Sequence, residues 1–395
     1  MQRIFSSLML YARYAILAAT IRKQTQRIVN MAMNSRRKTL TVKRTDVAVA
    51  LSVEGDTIAE EEALNIGKNT ARRERKEKVG RSKIEWTDFS FNGWMGCTKV
   101  SPACANCYAE RDMDHRYHKV QWGPHGTRVL TSDANWRKPL QWEREAVKNR
   151  TRYRVFCDSL ADVFEDWRGP IYDNARTQLF RHVSDECGWV GVSQSIPSGD
   201  LVCSKCGSWC NPVTMQDVRD RLFALIDKTP HLDWLLLTKR PENIRQMWPK
   251  DFDYDLSPPR AKIEFSPRRQ NVWLGTSIEN QEWAERRIPQ LAQCGSLCSF
   301  LFVSAEPLVG PIDLTKIPEA KRLSWVITGG ESGPHARPAD PDWFRSLRDQ
   351  CRDSKTAFHF KQWGEFDEQQ QRVGKKNAGR LLDGQTHDEV PEFPF

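Results

Sequence analysis

Six short apolar runs recur in the chain: Tyr153–Cys157, Trp234–Leu237, Val272–Gly275, Phe300–Val303, Trp325–Thr328 and Ala357–Phe360. Each is mainly aliphatic and aromatic, the composition of a strand buried on both faces. Longer segments separate them and predict helices over Met215–Thr229, Gln281–Gln293 and Pro341–Ser354. Strands alternating with helices fold as a parallel sheet with helical crossovers. The expected fold class is therefore α/β, a full or partial (β/α) TIM-like barrel.

The residues that follow each run add a second constraint. Asp158-Ser159, Thr238-Lys239-Arg240, Ser277-Ile278-Glu279-Asn280, Ser304-Ala305-Glu306, Gly329-Gly330-Glu331-Ser332 and Lys361-Gln362 are polar or small. Loops are commonly polar, but a charge directly beside a buried run is costly to leave alone. In α/β folds ligands bind at the carboxyl ends of the strands. These positions predict a ligand-lined rim.

Charge separates the chain into parts. Residues 1–83 hold 18 Lys/Arg and 8 Asp/Glu, and the remainder holds 42 and 43. The basic character belongs to an N-terminal extension, read as a disordered tail or a targeting segment. No acidic residue precedes Asp46, and Ile4–Ile21 is apolar but for Arg13. That pattern suggests a transit peptide, or sequence upstream of a start at Met31 or Met33. It is too interrupted for a membrane span, so the expectation is a cytoplasmic protein without a membrane. A basic tail can hold nucleic acid through its phosphates, although solvation is the commoner use. Globular patterning is expected over 84–384, followed by a tail, 385–395.

Cysteine usage points to metal. The segment Gly96-Cys97-Thr-Lys-Val-Ser-Pro-Ala-Cys104-Ala-Asn-Cys107-Tyr108 puts three thiols in one loop. Thiolates suit an Fe–S cluster or a zinc ion, the latter needing a fourth ligand such as His115 or His118. Packing in a core is the remaining reading. A second group, Cys187, Cys203, Cys206 and Cys210, lies in an insertion over 186–211 with little apolar content of its own. A four-thiolate structural zinc would order it, and free thiols in a loop are the alternative. Cys157, Cys294 and Cys298 read as ordinary buried cysteines.

The cysteine loop resembles that of the radical S-adenosylmethionine enzymes, with Tyr108 beside the last cysteine as in the spore photoproduct lyase-like branch. The whole pattern looks like a phage-associated family of uncharacterised three-cysteine-motif proteins that is treated as radical-S-adenosylmethionine-like. The matching segments are Ile84–Asp88, Gly96–Glu110, Leu237–Pro241, Asn271–Gly275, Ser304–Pro307, Gly329–Gly333, Phe360–Gly364 and Leu382–Gly384. The resemblance implies a [4Fe–4S] cluster on Cys97, Cys104 and Cys107 whose open iron takes S-adenosylmethionine. It also implies a 5′-deoxyadenosyl radical acting on an unknown substrate, and an electron donor such as a flavodoxin or ferredoxin. Six residues separate the first two cysteines where the family usually has three. Gly329-Gly330-Glu331 stands far later in the chain than the family's Gly-Gly-Glu motif, and an unrelated glycine turn is its alternative.

Candidate roles follow. Lys239, Glu306 and Lys361 are catalytic candidates, and Tyr108, Ser277, Glu306, Gly329, Gly330 and Glu331 are cofactor-binding candidates. Arg240 would pair with a carboxylate or phosphate. The bland alternative for Lys239, Arg240 and Glu306 is a salt bridge between strand ends. Substrates in view include a nucleic-acid base, by analogy alone. The competing function is a zinc-bound, non-catalytic protein that binds nucleic acid or another partner. No phosphate-binding glycine loop and no His-x3-His pair occurs, which argues against a histidine-based metallohydrolase.

Overall fold

A computed structural model describes residues 80–182, 189–190, 193–195, 201–203, 209–254 and 262–392. They fall in one unit, Glu77–Phe395. Its centre is a seven-stranded sheet. The strands are β1 (Phe89–Phe91), β2 (Tyr153–Cys157), β3 (Leu232–Thr238), β4 (Val272–Ser277), β5 (Phe300–Ala305), β6 (Trp325–Gly329) and β7 (Ala357–Gln362). They lie side by side in chain order, and every neighbouring pair is parallel. The sheet curls into a half-barrel, with β1 and β7 as its edges among the described residues.

Crossovers carry helices α1 (Lys138–Asn149), α2 (Met215–Asp227), α3 (Gln281–Ala292) and α4 (Pro341–Ser354). Their starts are set by capping. Thr214 and Asp217 form a reciprocal capping box on α2. Asn280 accepts the Trp283 N–H on α3, and Asp340 precedes Pro341 on α4. No described helix is long and apolar enough to cross a membrane.

Period-two alternation along the strands produces two apolar layers. Val155, Trp234, Leu236, Leu274, Val303 and Val326 belong to the larger, which also takes in the apolar sides of the helices. Phe156, Leu235, Trp273, Phe302, Trp325 and Ile327 point the other way, and Trp86 packs among them from just before β1. Trp86 lies 4.7 Å from the Phe156 ring centre and 6.2 Å from that of Trp325. Gly275 leaves room for this layer, because a Cβ there would stand 2.3 Å from the Phe302 ring. A separate three-stranded sheet joins Trp94–Met95, Arg128–Leu130 and Ile171–Tyr172.

The basic extension lies outside the described residues as far as residue 79, as do Cys187 and Cys206 of the insertion. Cys203 ends the strand Leu201–Cys203, and Cys210 is buried at the start of Cys210–Pro212. The four-thiolate zinc expectation therefore rests on residues outside those described.

Candidate functional site

The carboxyl ends of the strands open into one cavity of about 550 Å³, within the usual range for small-molecule sites. Cys97, Cys104 and Cys107 all line it. So do residues at or just beyond the ends of β2 to β7: Asp158, Lys239, Ser277, Glu306, Glu331 and Lys361. Most of the rim read from the sequence thus forms one concave surface, whereas Glu279, Asn280, Gly329 and Gln362 are not among its lining residues.

The cysteine loop is held from two sides. Gly96, at φ +109°, starts it where any Cβ would stand 2.4 Å from the Thr127 carbonyl oxygen. The Ala103 N–H donates to Glu279 Oε1 at 3.3 Å. Glu279 is fully buried, and its other oxygen pairs with Arg287 Nη1 at 2.9 Å. From the far side, Arg337 Nη2 donates to the Pro102 carbonyl at 3.1 Å, and Asn106 Nδ2 to that of His335 at 2.7 Å. Arg337 is itself fixed by two bonds to Glu331, Nη2–Oε1 and Nε–Oε2, each 2.8 Å. Glu331 thus sits at the cavity, as expected, with its carboxylate engaged by Arg337. Burial would raise its pKa, but Arg337 holds it below the usual value.

Under Cys97 lies a buried ionic network. Arg240 Nη1 stands 3.7 Å from Cys97 Sγ and 2.8 Å from Asp162 Oδ2, and Arg240 Nη2 lies 3.3 Å from Glu165 Oε1. Arg128 clasps Glu165 through Nε and Nη2 at 2.7 and 2.8 Å. Both arginines also bond Thr98, the residue after Cys97. Burial would raise the Asp162 carboxyl, yet Arg240 and the Thr238 hydroxyl hold it below the usual range. Cys97 is pushed up to about 12 by burial and by Glu165 and Asp162, against the pull of Arg240. Burial also raises Cys107, opposed by the Glu110 backbone N–H and Lys239. Metal binding at these sulfurs would have to displace their protons.

The other candidates take clear places. Lys239 Nζ lies 3.2 Å from Ser277 Oγ, and Lys361 Nζ 2.6 Å from Glu306 Oε1. Half of Tyr108 is exposed, but its hydroxyl donates to the Ser159 carbonyl at 2.9 Å, and burial there pushes it up to about 12. Gly330 borders the cavity, whereas Gly329 is not among its lining residues. A Cβ on Gly330 would lie 1.9 Å from the Trp363 carbonyl oxygen, so backbone packing alone demands glycine there. Asn280 caps α3, and Cys157, Cys294 and Cys298 are buried in the larger core.

Asp162, Glu165 and Arg128 escaped the sequence reading. The legible signal was the run Asp158–Glu165, where three acids follow a strand end within eight residues.

Among the described residues, no three His, Cys, Asp or Glu side chains converge on a single-ion site. A cluster asks for a different arrangement, since each thiolate binds its own iron. Three thiols from one loop, joined by no disulfide and facing one cavity, suit that donor set. Among the described residues no histidine and no fourth cysteine lines the cavity, so one iron would be left open to another ligand.

No curated protein and no solved structure matches the chain. A family model does, over residues 81–187 and 197–391, and its description is "Protein of unknown function (DUF5131)". The matched stretches include the cysteine loop and all seven strands of the central sheet. The chain therefore belongs to the DUF5131 family.

Proposed function

We propose that this protein is a radical S-adenosylmethionine enzyme, akin to the phage-associated three-cysteine-motif proteins, built on a partial (β/α) barrel. The observation that carries the reading is the convergence of Cys97, Cys104 and Cys107 on one strand-end cavity, which no fourth thiol or imidazole among the described residues lines. Those residues would hold a [4Fe–4S] cluster. When bound, the reduced cluster and S-adenosylmethionine supply a 5′-deoxyadenosyl radical that takes hydrogen from a substrate.

The chain's own residues bind, orient and shield. Glu279 and Arg337 fix the backbone of the cysteine loop from opposite sides. Arg240, held by Asp162 and Glu165, places positive charge beside Cys97, where it favours a thiolate. Lys239 and Ser277 stand ready for a carboxylate or hydroxyl of the ligand, and Glu306 with Lys361 offers an acid and a base on one rim. The apolar wall of Ile84, Trp86, Phe156 and Leu237 excludes water from reactive intermediates. An acidic one-electron protein of the flavodoxin or ferredoxin kind would serve as reductant.

The test is direct. Anaerobic protein, reduced with dithionite and given S-adenosylmethionine, should release 5′-deoxyadenosine and methionine, and Cys107→Ala should not. Equal release by Cys107→Ala would overturn the reading.

A further inference from the structure

Two buried polar atoms at the cavity have no nitrogen or oxygen partner among the described residues. Asp158 is 3% exposed; its Oδ1 accepts the Gly93 N–H at 2.7 Å, while Oδ2 has no nitrogen or oxygen partner and the Cys157 thiol is the carboxyl's remaining polar neighbour. Trp86 is also 3% exposed, and its Nε1–H is likewise without an acceptor. Both residues line the cavity, from the end of β2 and from just before β1. An orphaned buried polar group costs about 1–3 kcal/mol, so a pair of them at one cavity marks where a ligand supplies the missing partners.

The surroundings define that ligand. Trp86 and Phe156 give the cavity an aromatic wall, their ring centres 4.7 Å apart and their planes tilted by 57°. Aromatic faces and edges of this kind suit a planar ring packed against one of them. An indole N–H can only donate, so the ring must present an acceptor to it. Burial holds the Asp158 carboxyl well above its ordinary value, so it too is a donor, with Gly93 occupying its carbonyl oxygen. Lys239 and Lys375 border the same cavity, and among the described residues neither pairs with a carboxylate.

From these placements we infer that Asp158 and Trp86 read the edge of a nucleobase, and that the two lysines receive an anionic group on the same molecule. The ring comes either from the adenosine of S-adenosylmethionine or from a separate nucleotide substrate. The inference deepens the proposed function and rests on it only for the first of these sources.

Calorimetric titration of the full chain, purified anaerobically with its iron counted beforehand, tests the assignment. The probes are S-adenosylmethionine, methionine, and the monophosphates of adenosine, guanosine, cytidine and thymidine. Asp158→Ala and Trp86→Phe should each weaken at least one base-bearing probe by about tenfold and leave methionine unaffected. Asp158→Asn keeps both an acceptor for Gly93 and a donor for the ring, so it should stay within about threefold of wild type. Loss confined to S-adenosylmethionine names the cofactor as the source; loss confined to a monophosphate names the substrate. Trp86→Phe preserves the aromatic wall and decides the matter if Asp158→Ala does not fold. If no base-bearing probe binds, or every probe binds all variants equally, the inference is overturned. A chain without iron that still shows the monophosphate pattern would sink the cluster and leave the base pocket standing.

Discussion

Glu331 Oε1 and Arg337 Nη2 lie 2.8 Å apart, and the same nitrogen reaches the Pro102 carbonyl at 3.1 Å inside the cysteine loop. The Gly-Gly-Glu segment at the end of β6 is thereby tied to the loop that carries the three thiols. Arg337→Ala should loosen that loop by about 1–2 kcal/mol, the worth of its charge-assisted bonds on a partly exposed side chain. The expected signature is faster iron loss to a chelator with a far-ultraviolet spectrum like wild type. Unchanged iron retention would place the pair outside the support of the loop.

Adjacent glycines should behave oppositely. Gly330→Ala forces a Cβ to within 1.9 Å of the Trp363 carbonyl oxygen, whereas the nearest atom to a Cβ on Gly329 is at 3.4 Å. Gly330→Ala should destabilise by about 3 kcal/mol and Gly329→Ala by less than about 1 kcal/mol, read from urea midpoints. Equal effects would remove the packing explanation for Gly330.

Arg240 pairs with two buried acids; removing it strands Asp162, while Glu165 keeps Arg128. Arg240→Ala should cost about 3–5 kcal/mol, because Asp162 loses its only charged partner among the described residues. Adding Asp162→Asn should recover part of that loss by removing the uncompensated charge. A double variant no more stable than the single would contradict the network.

His359 sets a pH dependence of folding. It is 2% exposed, and burial lowers its pKa from 6.5 to about 4, with Asp388 opposing the shift. The unfolded chain therefore binds a proton that the folded chain refuses between those values. Stability from this group is complete above about pH 6.5 and falls as the pH drops to about 4, by at most about 3 kcal/mol. Urea midpoints at pH 7.5 and 5 should converge in His359→Phe relative to wild type. An unchanged difference would assign the acid sensitivity to other groups.

Much of the fold was legible because the strands are buried on both faces and read as unbroken apolar runs. Tyr153–Cys157 and Pro341–Ser354 fall where the pattern places them. The other runs continue one or two residues further, to Thr238, Ser277, Ala305, Gly329 and Gln362, because ladder pairing persists after polarity begins. β1 escaped notice because it has three residues, and α1 because few of its residues are buried, Pro139 and Ala146 among them. The rim could be read because strand ends are contiguous in sequence. The partners Arg128, Asp162, Glu165 and Arg240 come from three separate connections, and spacing alone does not pair them. Thus Lys239, Glu306 and Lys361 were found at the cavity, while the ionic support under Cys97 emerged only from the fold.

The central claim is that three thiols hold a cluster, and iron and sulfide counts with a visible spectrum test it most directly. Anaerobically reconstituted full-length protein should contain roughly four irons and four sulfides per chain and show broad charge-transfer absorption, lost in Cys104→Ala. Zinc alone, with no visible bands after careful reconstitution, would contradict the account.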